Sequence, residues 1–166
     1  AVQSALTGHL VLSTLHTNTA AGAVVRMQDM GVESYLITSS VNGVLAQRLV
    51  RTLCSHCKEP YEPGQHVRES SGLSRFSEVG RPIYRAVGCD QCRQTGYRGR
   101  TGIHELFVLD EPMRRAIIDG RDANALHALA SQSGMLSLHE DGLRKVARGV
   151  TSLDELARVT QDQSDA

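Results

Sequence analysis

The 166-residue sequence predicts an α/β chain interrupted by a metal-binding insert. Three patterns carry this. Residues 9–15 (His-Leu-Val-Leu-Ser-Thr-Leu) form a nearly continuous apolar run, which suits a strand buried on both faces of a parallel sheet. Apolar residues recur at helical spacing after Thr19 and again after Leu109. The only four cysteines form two C-x-x-C turns, Cys54–Cys57 and Cys89–Cys92.

Taken in order, residues 1–6 read as the end of a helix, and Gly8 precedes the apolar run. Asn18 or Thr19 can cap a helix whose apolar face is Ala20, Ala23, Val24 and Met27, with Gly31 closing it. Residues 33–41 predict a second short helix. Residues 43–53 suit either a strand or a helix; strand is preferred, running directly into Cys54.

Residues 54–92 hold three of the four prolines, four glycines and few apolar side chains, too little to fold by hydrophobic burial alone. Metal binding supplies what is missing, because structural zinc contributes roughly 10 kcal/mol or more to folding in small modules. Four thiolates at about 2.3 Å satisfy tetrahedral zinc and leave no open coordination position, so the predicted role is structural. Disulfides need an oxidising compartment, which is not expected here because no segment reads as a signal peptide. Redox C-x-x-C turns occur singly, and iron–sulfur sites usually show another ligand rhythm. His56 is a conceivable substitute ligand but reads better as an exposed residue. Arg93, Lys58 and the backbone N–H groups of the turns are candidate donors to the thiolates.

After Cys92, residues 96–102 form a glycine-punctuated turn, and residues 103–109 predict a strand. Four helices follow. Asp110 caps the first, with Pro112 in its opening turn and Gly120 at its end. Asp122 caps the second. Leu143, Val146, Ala147 and Val150 line one face of the third, and Ser152-x-x-Glu155 is a capping box for the fourth. Residues 161–166 read as a disordered polar tail.

Formal net charge is zero, so no nucleic-acid partner is expected. No apolar run reaches the ~18 residues that span a bilayer. No G-x-x-x-x-G-K-[ST] is present, because neither lysine, Lys58 or Lys145, follows a glycine. Leu109-Asp110-Glu111 imitates a magnesium-binding strand end, but capping accounts for Asp110 and no phosphate cradle accompanies it. On these grounds the isolated chain is expected to be catalytically inactive and to be the C-terminal piece of something larger.

Several segments together carry a family resemblance: Thr7 to Asn18 (Thr-Gly-His-Leu-Val-Leu-Ser-Thr-Leu-His-Thr-Asn), Ala46 to Arg51, the two cysteine pairs, Gly96 to Leu106, Asp141-Gly142 and Thr151-Ser152-Leu153. In this order they resemble the C-terminal part of the type II secretion ATPases, with the type IV pilus-assembly ATPases as close relatives that share the cysteine pairs. The resemblance implies the C-terminal part of a RecA-like ATPase core with an inserted four-cysteine zinc module and a C-terminal helical subdomain. The expected boundaries are 1–53 for the partial core, 54–92 for the insert, 93–110 for the return strand and 111–160 for the helices. It also implies ATP and Mg2+ as cofactors of the larger protein, a homo-hexamer, an inner-membrane secretion platform protein as partner, and a cytoplasmic place on the bacterial inner membrane. His9 and His16 match the family's two box histidines, which couple to nucleotide state. Arg98 and Arg100 fall where the family approaches nucleotide, and arginine's fork suits phosphate. Arg48 and Arg51 are expected to be structural or interfacial. The competing class is a zinc-dependent nucleic-acid or protein binding module, which would call for a basic surface bearing aromatics.

Overall fold

The computed structural model describes residues 1–160; the tail expected at 161–166 lies outside them. The helices are α1 (Val2–Leu6), α2 (Ala20–Asp29), α3 (Ser34–Ser40), α4 (Gln65–Ser70), α5 (Glu111–Ile118), α6 (Ala123–Gln132), α7 (Leu138–Ala147) and α8 (Leu153–Thr160). The strands are β1 (Gly43–Leu53), β2 (Glu59–Tyr61), β3 (Ile83–Arg85) and β4 (Tyr97–Val108). β1 pairs with β4, and β2 pairs with β3 in antiparallel register with Pro60 opposite Tyr84. β1 and β4 also run antiparallel: Leu109 N–H donates to Asn42 O just beyond one end of the pair, and Cys54 N–H to Gly96 O just beyond the other. The described residues divide into two compact units, Ala1–Ala46 with Glu105–Ser137, and Gln47–His104 with residues 138–160.

The first unit is built on a core of Ala20, Ala21, Val24, Ile37, Phe107, Leu109, Met113, Ile117, Leu126 and Ala130. Its helices begin where the caps require. Thr19 Oγ1 accepts from Gly22 N–H, Asp110 from Met113 N–H and Asp122 from Ala125 N–H. Gly31, at φ +85°, closes α2 with Val32 N–H bonded to Met27 O. On β4 the residues Ile103, Glu105 and Phe107 face inward, alternating with exposed neighbours.

The apolar run at residues 9–15 does not form the expected strand. Residues 9–17 lie outside helix and strand, with Leu10 and Leu12 86% and 88% exposed. A strand buried on both faces needs a hydrogen-bonded neighbour and a layer over each side. Among the described residues the only sheets are the two antiparallel pairs, and neither includes this segment.

The second unit buries Val50, Leu73, Ile83, Ile103, Leu138, Leu143, Val146 and Leu156. The 54–92 segment thus contributes its own apolar anchors, Leu73 and Ile83. α7 and α8 approach closely at Gly142, where an added Cβ would sit 2.1 Å from Leu156 Cδ1. Val150 does not continue the face of α7. The helix stops at Ala147, and Val150 O accepts from Leu53 N–H at 2.9 Å instead. Half of the expected capping box forms: Ser152 Oγ accepts from Glu155 N–H at 3.2 Å, while the Glu155 carboxylate turns to arginines.

Candidate metal centre

The two C-x-x-C turns are tight because each closes on its own first residue. Lys58 N–H donates to Cys54 O at 3.0 Å, and Cys92 N–H and Gln94 N–H donate to Cys89 O at 3.1 and 2.9 Å. Arg93 and Gln94 accept left-handed backbone conformations (φ 55° and 63°) to complete the second turn. Gly88 and Gly96 allow the flanking chain to close in. A Cβ at Gly88 would meet Gln94 O at 2.8 Å, and one at Gly96 would meet Ala86 Cβ at 2.6 Å.

This backbone brings all four Sγ atoms within 4.8 Å of one another. Cys57–Cys92 and Cys89–Cys92 are each 3.8 Å apart. Four bonds of about 2.3 Å to one tetrahedral ion require S···S edges of about 3.8 Å, so the donor set fits a single ion. A disulfide needs about 2.05 Å, and all four cysteines are free. A tetrahedral four-sulfur cage selects zinc or iron over magnesium or calcium. His56 is exposed and outside the ligand set.

Three backbone N–H groups donate to sulfur: Gly88 to Cys57 at 3.4 Å, and Cys89 and Gly96 to Cys92 at 3.3 and 3.2 Å. Burial pushes the Cys57 thiol up to about 11, assisted by the neighbouring thiols. Burial also opposes charge on Cys92, but the N–H groups of Cys89 and Gly96 outweigh it and bring that thiol down to about 6. Cys92 therefore gives up its proton before Cys57, whose proton a bound ion must displace. Lys58 does not serve the thiolates. Its ammonium donates to Gly149 O at 2.8 Å and lies 4.5 Å over the Tyr84 ring, because an ammonium finds a fixed carbonyl and an aromatic face there.

The other anticipated residues stand apart from this cluster. His9 and His16 are exposed members of the first unit, and His9 Nδ1 lies 3.1 Å from Thr7 Oγ1 and 3.2 Å from Ser4 O. Arg98 and Arg100 are exposed on β4 in the second unit. Arg48 and Arg51 are structural. Arg48 donates to Val159 O at 2.6 Å, and Arg51 binds Glu155 with its main-chain N–H, Nε and Nη2.

Two buried carboxylates were not foreseen. Glu155 accepts from Arg51 and Arg158 and is held down at about 2; burial opposes this, and the two guanidiniums override it. Glu105 accepts from Ala20 N–H. For Glu105 a signal existed: a charged residue at an inward strand position, between Ile103 and Phe107. For Glu155 the capping-box pattern supplied a competing local explanation. In the second unit, Asp141 accepts from His104 N–H at 3.0 Å and pairs with Lys145, which joins two of the motif segments.

A family model described as "Type II/IV secretion system protein" matches residues 1–158. "Type II secretion system ATPase E" of Vibrio cholerae is 52% identical over 164 residues, which cover 98% of this chain and 32% of that protein. "Type II secretion system protein HxcR" of Pseudomonas aeruginosa is 53% identical over 162 residues, covering 98% and 30%. "Type IV pilus assembly ATPase PilB" of Thermus thermophilus is 46% identical over 162 residues, covering 97% and 18%. The chain spans about a third or less of the length of these relatives.

Proposed function

Because the chain belongs to the type II/IV secretion system protein family, we propose that it is the C-terminal portion of a cytoplasmic hexameric ATPase that powers type II protein secretion. The observation that carries this reading is the match along nearly the whole chain, at about half identity, to proteins named for that system. The longer polypeptide has a RecA-like core that binds ATP and Mg2+. This chain, lacking a P-loop, does not hydrolyse ATP alone.

Within that reading, Cys54, Cys57, Cys89 and Cys92 hold a structural zinc that anchors the insert. His9 and His16 couple to nucleotide state, and Arg98 and Arg100 reach toward phosphate. Hydrolysis moves the domains of the hexamer, and a platform protein of the inner membrane receives that motion. No helix among the described residues is long and apolar enough to cross a membrane.

Deleting the gene in its host and assaying culture medium tests this. Loss of exported enzymes, restored by the intact gene and not by a Cys54→Ser/Cys89→Ser version, is the expected result. Normal secretion with absent pili would favour the pilus-assembly reading, which the Thermus relative supports. Salt-sensitive binding of DNA or RNA by the purified chain would favour a nucleic-acid module instead.

A further inference from the structure

Glu105 breaks the rule of its strand. Its neighbours on the inward face of β4, Ile103 and Phe107, are fully buried apolar residues, and Glu105 is only 2% exposed. A carboxylate in that position costs stability that an apolar side chain would not, and such local violations concentrate where function needs them. Its contacts show what it holds. One oxygen accepts from Ala20 N–H at 2.9 Å, the opening amide of α2. The other lies 3.5 Å from His127 Nε2 on α6. α2 is thus capped twice, by Thr19 on Gly22 N–H and by a strand residue far along the chain on Ala20 N–H. The negative carboxylate also sits at the positive end of the helix dipole.

Ala20 follows His16 by four residues, and the link between them is partly tied, because Thr17 Oγ1 donates to Thr19 O at 3.1 Å. Fixing the Ala20 amide therefore fixes the exit of the segment that carries His16. We propose that Glu105 is a positioning residue for His16, a role that rests on the nucleotide coupling proposed above for that histidine. Its carboxylate ties the end of the His16 segment to β4, and His127 braces the same carboxylate from α6. A change at His16 is thereby passed to the strand and helix that meet at Glu105.

The test compares Glu105→Ala, Glu105→Gln, His16→Ala and the double variant His16→Ala/Glu105→Ala in the full-length ATPase. Each is assayed for steady-state ATP hydrolysis and for hydrogen exchange at Ala20. Glu105→Ala is expected to lower kcat about tenfold with KM for ATP within twofold. Glu105→Gln, which keeps an acceptor for Ala20 N–H, recovers most of that loss. The double variant is no slower than His16→Ala alone, because residues that act as one unit are not additive. Exchange at Ala20 quickens in Glu105→Ala and not in His16→Ala. Losses that multiply in the double variant, or a folded Glu105→Ala enzyme with unchanged kcat, overturn the proposal while leaving the role of His16 intact. A wild-type enzyme without turnover, or a His16→Ala enzyme equal to wild type, overturns the role of His16 and this proposal with it.

Discussion

Replacing Glu155 with Gln should destabilise the second unit and erase part of its acid sensitivity. The Glu155 side chain is fully buried and accepts five hydrogen bonds. Three come from Arg51 (main-chain N–H at 3.1 Å, Nε at 2.9 Å, Nη2 at 2.6 Å) and two from Arg158 (Nε at 3.0 Å, Nη2 at 2.8 Å). The carboxyl lies at about 2 in the folded protein against an ordinary 4.5. At 1.36 kcal/mol per pH unit this corresponds to about 3.4 kcal/mol. Arg51 and Arg158 are 44% and 61% exposed, so water screens the pair, and about 2 kcal/mol is the better figure.

The sign follows from proton affinity. The folded state holds this proton less tightly than the unfolded state does. The stabilisation is complete above about pH 4.5 and is lost as pH falls toward about 2. Urea unfolding followed by tyrosine fluorescence suits the assay, because Tyr61, Tyr84 and Tyr97 report on the second unit and only Tyr35 on the first. At pH 7 Glu155→Gln should lose about 2 kcal/mol, and the gap to wild type should close between pH 4.5 and 2. A variant within about 0.5 kcal/mol of wild type at pH 7, the usual range for a neutral surface change, would show that the buried ion pair does not stabilise the fold. A gap that persists at pH 2 would show that the loss does not come from its charge.

Gly142→Ala should destabilise by about 1–3 kcal/mol, because the new Cβ would meet Leu156 Cδ1 at 2.1 Å; helix propensity alone would instead add about 1 kcal/mol of stability, so the sign of the measured change decides. Phe107→Ala removes the largest fully buried side chain of the first unit's core and should cost about 3–5 kcal/mol in urea unfolding. Metal affinity should fall from pH 8 to pH 6 in competition with a chelator of known pH dependence, since the Cys57 thiol at about 11 must release its proton to bind; an affinity independent of pH would contradict this. Cys54→Ser should abolish stoichiometric zinc and speed hydrogen exchange across 47–104 and 138–160, while α5 and α6 keep their protection.

Much of the local structure was legible because its causes are local. Thr19, Asp110 and Asp122 cap the helices they precede, since a side-chain oxygen needs only the next turn to act. The four-thiol cluster was legible because spacing alone builds each turn, and the two turns have little to do but meet. What failed depends on distant partners. The run at residues 9–15 has strand composition, but no sheet formed by the described residues takes it in. Proximity in sequence makes Lys58 a candidate donor to the thiolates, whereas Gly149 O, 91 residues away, holds it. Glu155 carried a local capping signal and followed it by half, because two guanidiniums outcompete one backbone N–H for a buried carboxylate.

If the chain is the metal-organised C-terminal part of a secretion ATPase, as proposed, hydrolysis belongs to the longer protein that carries it. Steady-state ATP hydrolysis, measured side by side on the isolated 166-residue chain and on the full-length protein that carries it, tests this most directly. Turnover by the full-length protein, reduced by His16→Ala, and none by the isolated chain is the expected result. Turnover by the isolated chain, or a folded, zinc-loaded full-length protein that hydrolyses no ATP, would contradict it.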